Sequence, residues 1–183
     1  MKEKQYLEKL TGELAEKYQE GVKQLELGNF AQAEKLLIEV KEERPDFVPV
    51  YNKLGIIAIY RKNLDRAKNW LTQALELDKE FVPAITNLGS IKREEGDRDL
   101  AREYYLKAIQ LDPDYGPAYN NLGVIYREEG NYRESVKYLK KANKLKSYTI
   151  DASKDRLFYK EPGCIVPLII MVGLVILYLI FIR

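Results

Sequence analysis

Two acidic pairs, Glu94-Glu95 and Glu128-Glu129, come nearest in this sequence to a catalytic constellation. Neighbouring carboxylates can share a proton and do general acid–base work when their environments push their pKa values apart. Each pair, however, follows an arginine (Arg93, Arg127) and precedes a glycine (Gly96, Gly130), the composition of a solvated helix end rather than of a dyad. The chain contains no histidine, which removes the usual general base near neutral pH and a common metal ligand. Its one cysteine, Cys164, allows neither a disulfide framework nor a paired-thiol metal site. No glycine-rich phosphate loop ending in Lys-Ser/Thr and no nucleophile elbow occurs. The expectation is a protein that is not an enzyme and needs no cofactor.

Composition narrows the class further. The 183 residues carry 30 Lys and Arg against 28 Asp and Glu, and 46% are hydrophobic. That length and apolar content suffice for one domain with a core. The charge is balanced and no basic stripe stands out, so no nucleic-acid partner is expected. The opening "MKEKQYLEKLTGEL" is charged and helical, with no apolar signal-peptide core.

The elements that would position a site are set by an internal repeat. Glycines fall at Gly21, Gly55, Gly89 and Gly123, in steps of 34 residues. Small residues keep the same step at Ala33, Ala67, Ala101 and Ser135, and again at Val40, Ala74, Ala108 and Ala142. A large apolar column runs Leu37, Leu71, Tyr105, Leu139. Gly28, Gly96 and Gly130, with Lys62 in the second unit, stand where a first helix would end on a left-handed residue. Asn29, Asn63, Asp97 and Asn131 follow as N-caps of a second helix. Pro45 and Pro113 lie between units, where a proline can open the next helix. Lys79 and Ser147 take the matching places. The glycine column costs about 1 kcal/mol of helix propensity per residue, so close packing must repay it. The spacing predicts that Gly123 on the first helix, with Ser135 and Ala142 on the second, lets the two backbones approach closely.

These columns resemble the tetratricopeptide repeat family, and "AYNNLGVIYREEGNYRESVKYLKKA", 118–142, is similar to its consensus throughout. The resemblance implies an all-α, right-handed α-solenoid of helix–turn–helix units, tiled here as 14–47, 48–81, 82–115 and 116–149. Lys17, Glu20 and Gln24 depart from the family's larger apolar groups in the first unit. Its stripe is instead Leu7, Leu10, Leu14, Tyr18, Val22 and Leu25, as for a terminal unit whose first helix is extended through residues 1–13. The resemblance also implies that the first helices line a concave groove holding a protein or peptide segment. By helical geometry that face carries Tyr18, Val22 and Leu25, then Asn52, Ile56, Ile59 and Tyr60. It continues with Thr86, Ser90 and Arg93, and ends with Asn120, Val124 and Arg127. The expected ligand is an extended or helical segment, apolar at one end and carboxylate-bearing at the other. The family's clamp for the C-terminal tail of heat-shock chaperones is not expected. Tyr18, Val22, Lys53, Pro83 and Asn87 stand at its places, and only the asparagine fits.

The chain closes on "CIVPLIIMVGLVILYLIFIR". Residues 164–182 form an uninterrupted apolar run that as a helix spans roughly 28 Å, the thickness of bilayer hydrocarbon. A single-pass transmembrane helix, acting as a C-terminal anchor in the lipid bilayer, is expected there. Lys154, Arg156 and Lys160 precede the run and only Arg183 follows it, which places the repeats on the cytoplasmic side. Residues 150–163 read equally as a segment capping the last unit through Ile150, Leu157 and Phe158, or as a tether. Cys164 could carry a lipid, although a plain small residue opening the apolar run accounts for it. The functional expectation is a membrane-anchored adaptor or scaffold. A structural subunit of a membrane assembly and an organelle-surface receptor or fission adaptor are the alternatives.

Overall fold

A computed structural model of the chain describes residues 2–145. The expected capping or linker segment 150–163, the apolar run 164–182 and the last residues of the fourth unit lie outside the described residues. Among the described residues no helix is long and apolar enough to cross a membrane.

The described residues form nine α-helices: α1 (Lys2–Leu7), α2 (Gly12–Glu26), α3 (Phe30–Glu43), α4 (Val48–Tyr60), α5 (Leu64–Leu77), α6 (Val82–Glu94), α7 (Arg98–Leu111), α8 (Gly116–Glu128) and α9 (Tyr132–Lys144). The pairs α2–α3, α4–α5, α6–α7 and α8–α9 each pack as one antiparallel unit. The second helix of every unit then packs on the first helix of the next. First helices also touch in series, α2 to α4 to α6 to α8. Each unit therefore rests on its neighbours, the arrangement of a solenoid whose stability is shared between adjacent repeats.

The 34-residue columns become the core. Ala33, Ala67, Ala101, Leu37, Leu71 and Tyr105 are all completely buried. The glycine column faces the large apolar column. A Cβ on Gly55 would come within 2.8 Å of Leu71 Cδ2, and one on Gly123 within 2.7 Å of Leu139 Cγ. The close approach expected at Gly123 is present, and the side chain that its missing Cβ makes room for is Leu139. Ser135 lies against Gly123 as expected, its Oγ donating to the Gly123 carbonyl at 2.8 Å.

Turn chemistry departs from the spacing at three residues, Asn29, Pro45 and Pro113. Asn63, Asp97 and Asn131 cap α5, α7 and α9 by accepting from the amides of Arg66, Leu100 and Glu134. Asn29 makes no such cap. Its amide donates at 2.7 Å to Gln24 Oε1, a partner that only the first unit supplies, since Ala58, Lys92 and Tyr126 stand there in the others. Pro45 and Pro113 do not open helices either. They sit second in tight turns closed by Phe47 N–H to the Arg44 carbonyl and Tyr115 N–H to the Asp112 carbonyl, both 3.0 Å, where a fixed φ is favoured. The helices are opened by Pro49, Pro83 and Pro117.

Gly28, Gly96 and Gly130 have φ of 79°, 90° and 77°, and Lys62 is held at 59° in the same place. A lysine there costs about 1 kcal/mol against glycine. Lys62 also pairs with Glu94, but the lysine is largely exposed and such a pair contributes little. Lys62→Gly should therefore raise stability by up to about 1 kcal/mol in denaturant titration. A loss of stability would show that the pair with Glu94 outweighs the backbone strain.

The first helix is not extended through residues 1–13. The chain turns after Leu7 through Lys9 N–H to the Tyr6 carbonyl and Leu10 N–H to the Leu7 carbonyl, both 3.1 Å, and Gly12 takes φ 63°. Residues 2–7 are a separate helix that folds back on α4.

Candidate partner groove

The acidic pairs resolve into structural ties. Glu94 pairs with Lys62, and Glu95 with Lys68 and Lys92. Glu128 pairs with Arg98 at 3.3 Å, and Glu129 with Arg102. Glu34 of the first unit binds Arg61 and Arg66 of the second. An ion-pair tie thus recurs at every junction between units, with its charges reversed at the first. Lys68, with help from Lys92, holds the Glu95 carboxyl below the usual range, as in a group kept ionised. Among the described residues no group of three or more Cys, Asp or Glu could hold a metal ion.

The first helices present the predicted face unevenly. Four of its residues belong to the packing. Tyr18 is 3% exposed, its ring edge-on to Phe47 at 5.0 Å, and Leu25, two turns further along α2, is also buried. Asn52 is 2% exposed and accepts from Asn87 Nδ2 at 2.8 Å. Thr86 is 2% exposed and donates its hydroxyl back to the Val82 carbonyl at 3.0 Å. Val22, Ile56, Ile59, Ser90, Arg93, Asn120 and Val124 are half-buried, and Arg127 is exposed. Tyr60 is 42% exposed and stacks on Phe30 at 5.2 Å, with rings 19° from parallel.

Two features were not read from the sequence. One is a polar seam between units. Ser90 Oγ accepts from Tyr105 Oη and from Asn121 Nδ2, each at 3.2 Å, and donates to the Thr86 carbonyl. With the Asn87–Asn52 bond it joins α4, α6, α7 and α8 along the face. Its signal was the pair of asparagines Asn87 and Asn121, also 34 residues apart. Burial pushes the Tyr105 hydroxyl pKa up, keeping it a donor to Ser90.

The other feature is a cavity of about 290 Å³ over the first unit. Ala15, Tyr18 and Val22 floor it, Leu7 and Leu10 wall it, and Gln19, Lys23, Glu26 and Lys53 stand around it. The sequence placed Tyr18 and Val22 there but set Leu7 and Leu10 on the same helix. Thr11-Gly12 carried the missed signal, a capping residue followed by a helix breaker.

At the opposite end stand Arg93 and Arg127, at equivalent positions of successive units. Their neighbours Glu94 and Glu128 are taken up by Lys62 and Arg98. Among the described residues neither arginine enters an ion pair. The face therefore runs from an apolar cavity, across an amide and hydroxyl seam, to two guanidinium groups.

Comparison with known proteins agrees with this architecture. Two family models, both described as tetratricopeptide repeat, match residues 48–81 and 81–146, together more than half of the chain. The chain belongs to the tetratricopeptide repeat family. Among solved structures it is similar to a crystal structure of MamA, 25% identical over 79% of this chain and 84% of that one, with a TM-score of 0.56. A second MamA structure is 24% identical over 76% of this chain and 78% of the other, with a TM-score of 0.55. PilF of Pseudomonas aeruginosa shares the fold at 20% identity and a TM-score of 0.61, over 79% of this chain and 63% of its own. No curated protein matches the chain.

Proposed function

We propose that the protein is a membrane-anchored adaptor that holds a protein or peptide segment along the concave face. The face carries no catalytic role in this reading. The observation that supports it most is the pair Arg93 and Arg127, aligned one unit apart with their adjacent glutamates engaged elsewhere. A guanidinium fork is suited to carboxylates, and two in series suit a segment with spaced acidic residues. The cavity walled by Leu7 and Leu10 would take an apolar side chain from the other end of that segment. The apolar run at 164–182 supports an anchor in the bilayer, and its basic N-terminal flank supports repeats on the cytoplasmic side. Anchoring would raise the local concentration of a membrane-bound partner without adding a contact.

The test is a peptide display selection on the full chain in detergent. Selected peptides should pair an apolar residue with acidic residues towards the α8 end. Arg93→Ala with Arg127→Ala should weaken them about tenfold or more, the loss of two charge-assisted contacts. Selection of basic or uniformly apolar peptides, insensitive to the two arginines, would refute the groove reading. Resistance of the full chain to alkaline extraction from membranes, lost when it is ended at 163, is expected for the anchor. Release of the full chain would refute that part.

A further inference from the structure

We infer that residues 5–10 are an in-chain occupant of the concave face, a latch held by Tyr6 that a partner segment must displace. This rests on the concave face being the partner groove. Helix α1 precedes the first unit and belongs to none. Yet the turn before Gly12 sends it back across two units. The Tyr6 ring meets Phe47 edge-on at 6.5 Å and Phe81 at 5.8 Å, and its hydroxyl donates at 3.1 Å to Asp78 Oδ2, 72 residues away. Those partners are the two loops that lead into α4 and α6, the first helices of the second and third units.

The burial pattern follows the reach of Tyr6. Pro49 and Asn52 of the second unit are buried, and so are Pro83 and Thr86 of the third. The equivalent Pro117 and Asn120 of the fourth are only half-buried. The N-terminal ends of α4 and α6 are therefore covered where Tyr6 spans them, and that of α8 is more open. With α1 in place the apolar end is a walled cavity, and with α1 away it becomes continuous with the rest of the face.

The hold is light enough to yield. Six residues make a helix that is marginal without packing. Leu7 leaves much of its side chain in water, and Tyr6 and Leu10 supply the anchors. Local opening of such a segment needs far less free energy than global unfolding.

The probe is a labelled peptide with the sequence of residues 1–11, MKEKQYLEKLT, titrated by fluorescence anisotropy against the full chain in detergent. The wild-type chain, its site filled, should bind it at least tenfold more weakly than the chain carrying Tyr6→Ala and Leu10→Ala. A peptide with alanine in place of the tyrosine should bind neither. Equal affinity for both chains, absence of binding included, would overturn the latch. Hydrogen exchange on the wild-type chain covers the case of a misfolded variant. The amides of Lys9 and Leu10 should exchange at least a hundredfold faster than those of α4. Exchange at the rate of α4 would make α1 a fixed part of the fold and overturn the proposal. The acidic-peptide experiment reads Arg93 and Arg127, whereas this one reads Tyr6, so the failure of either is distinguishable from the failure of the other.

Discussion

Gly89→Leu is expected to lower the melting midpoint by roughly 4–8 °C. A Cβ alone at this position would sit 2.7 Å from Tyr105 Cε1 and 3.0 Å from Tyr104 Cβ. Tyr105 is completely buried and held at its hydroxyl by Ser90, so the ring has no empty volume to swing into. A leucine must therefore push α6 off α7. Overpacking of this kind costs about 3 kcal/mol, far above the gain of about 1 kcal/mol from replacing a helical glycine. Because α5 rests on α6 and α7 on α8, the loss should spread to both neighbours, visible as faster amide exchange in α5 and α8. Gly89→Ala should show a smaller loss of the same sign. A wild-type melting midpoint for the leucine variant would mean that the glycine column is not what lets paired helices approach.

Phe81→Ala should destabilise by about 3–5 kcal/mol, the range for a buried phenylalanine leaving a cavity. Phe81 is fully buried where the second unit hands over to the third, its amide closing the turn onto the Asp78 carbonyl at 3.0 Å. Its removal should also take away the nearer of the two rings that Tyr6 leans on. The variant should therefore melt earlier and, well below its midpoint, show Lys9 and Leu10 exchanging at the rate of an open loop. Tyr6→Ala separates the two effects. Tyr6 is half-buried, so its loss should free α1 with a much smaller change in melting midpoint. Burial, aided by Asp78, pushes the Tyr6 pKa up to about 12, so the phenol stays protonated through the physiological range and the Tyr6–Asp78 bond is insensitive to pH there. Protected α1 amides in Phe81→Ala would show that α1 is held by contacts other than the Phe47–Phe81 cleft.

The architecture was legible in the sequence because stacking forces the same volume at the same place in every unit. Gly55, Gly89 and Gly123 recur because Leu71, Tyr105 and Leu139 recur opposite them. Spacing reveals that such columns exist but not which side chain fills the space, so it brings Ser135 to Gly123 but does not single out Leu139. The exceptions came from single residues that break the period. Gln24 takes the amide of Asn29 and removes one cap, because no other unit has a side-chain carbonyl at that point. Pro45 and Pro113 close turns because φ near −65° serves a turn as well as a helix start.

The site was legible in part for a related reason. Helical periodicity selects a face, and Val22, Ile56, Ile59, Ser90, Arg93, Val124 and Arg127 are on it with some surface in water. Periodicity does not report what lies over that face. Tyr6 is distant in sequence from Asp78 and Phe81, and no local pattern announces their contact. The acidic pairs stand at the ends of α6 and α8, where the sequence puts them. Their cross-unit partners Lys62, Lys68, Arg98 and Arg102 became visible only once the units were stacked.

The most direct measurement is quantitative capture of partners by the full chain from detergent-solubilised membranes of the native host. Wild-type bait would be compared with bait carrying Tyr60→Ala, Arg93→Ala and Arg127→Ala. These side chains are half-buried or exposed on the concave face, so the triple variant should keep its fold, which a melting curve would verify. A protein retained by the wild type should be depleted at least tenfold on the variant and should bear acidic residues in the region that binds. Equal recovery on both baits would contradict this and move the working surface to the outer helices or the edges of the array.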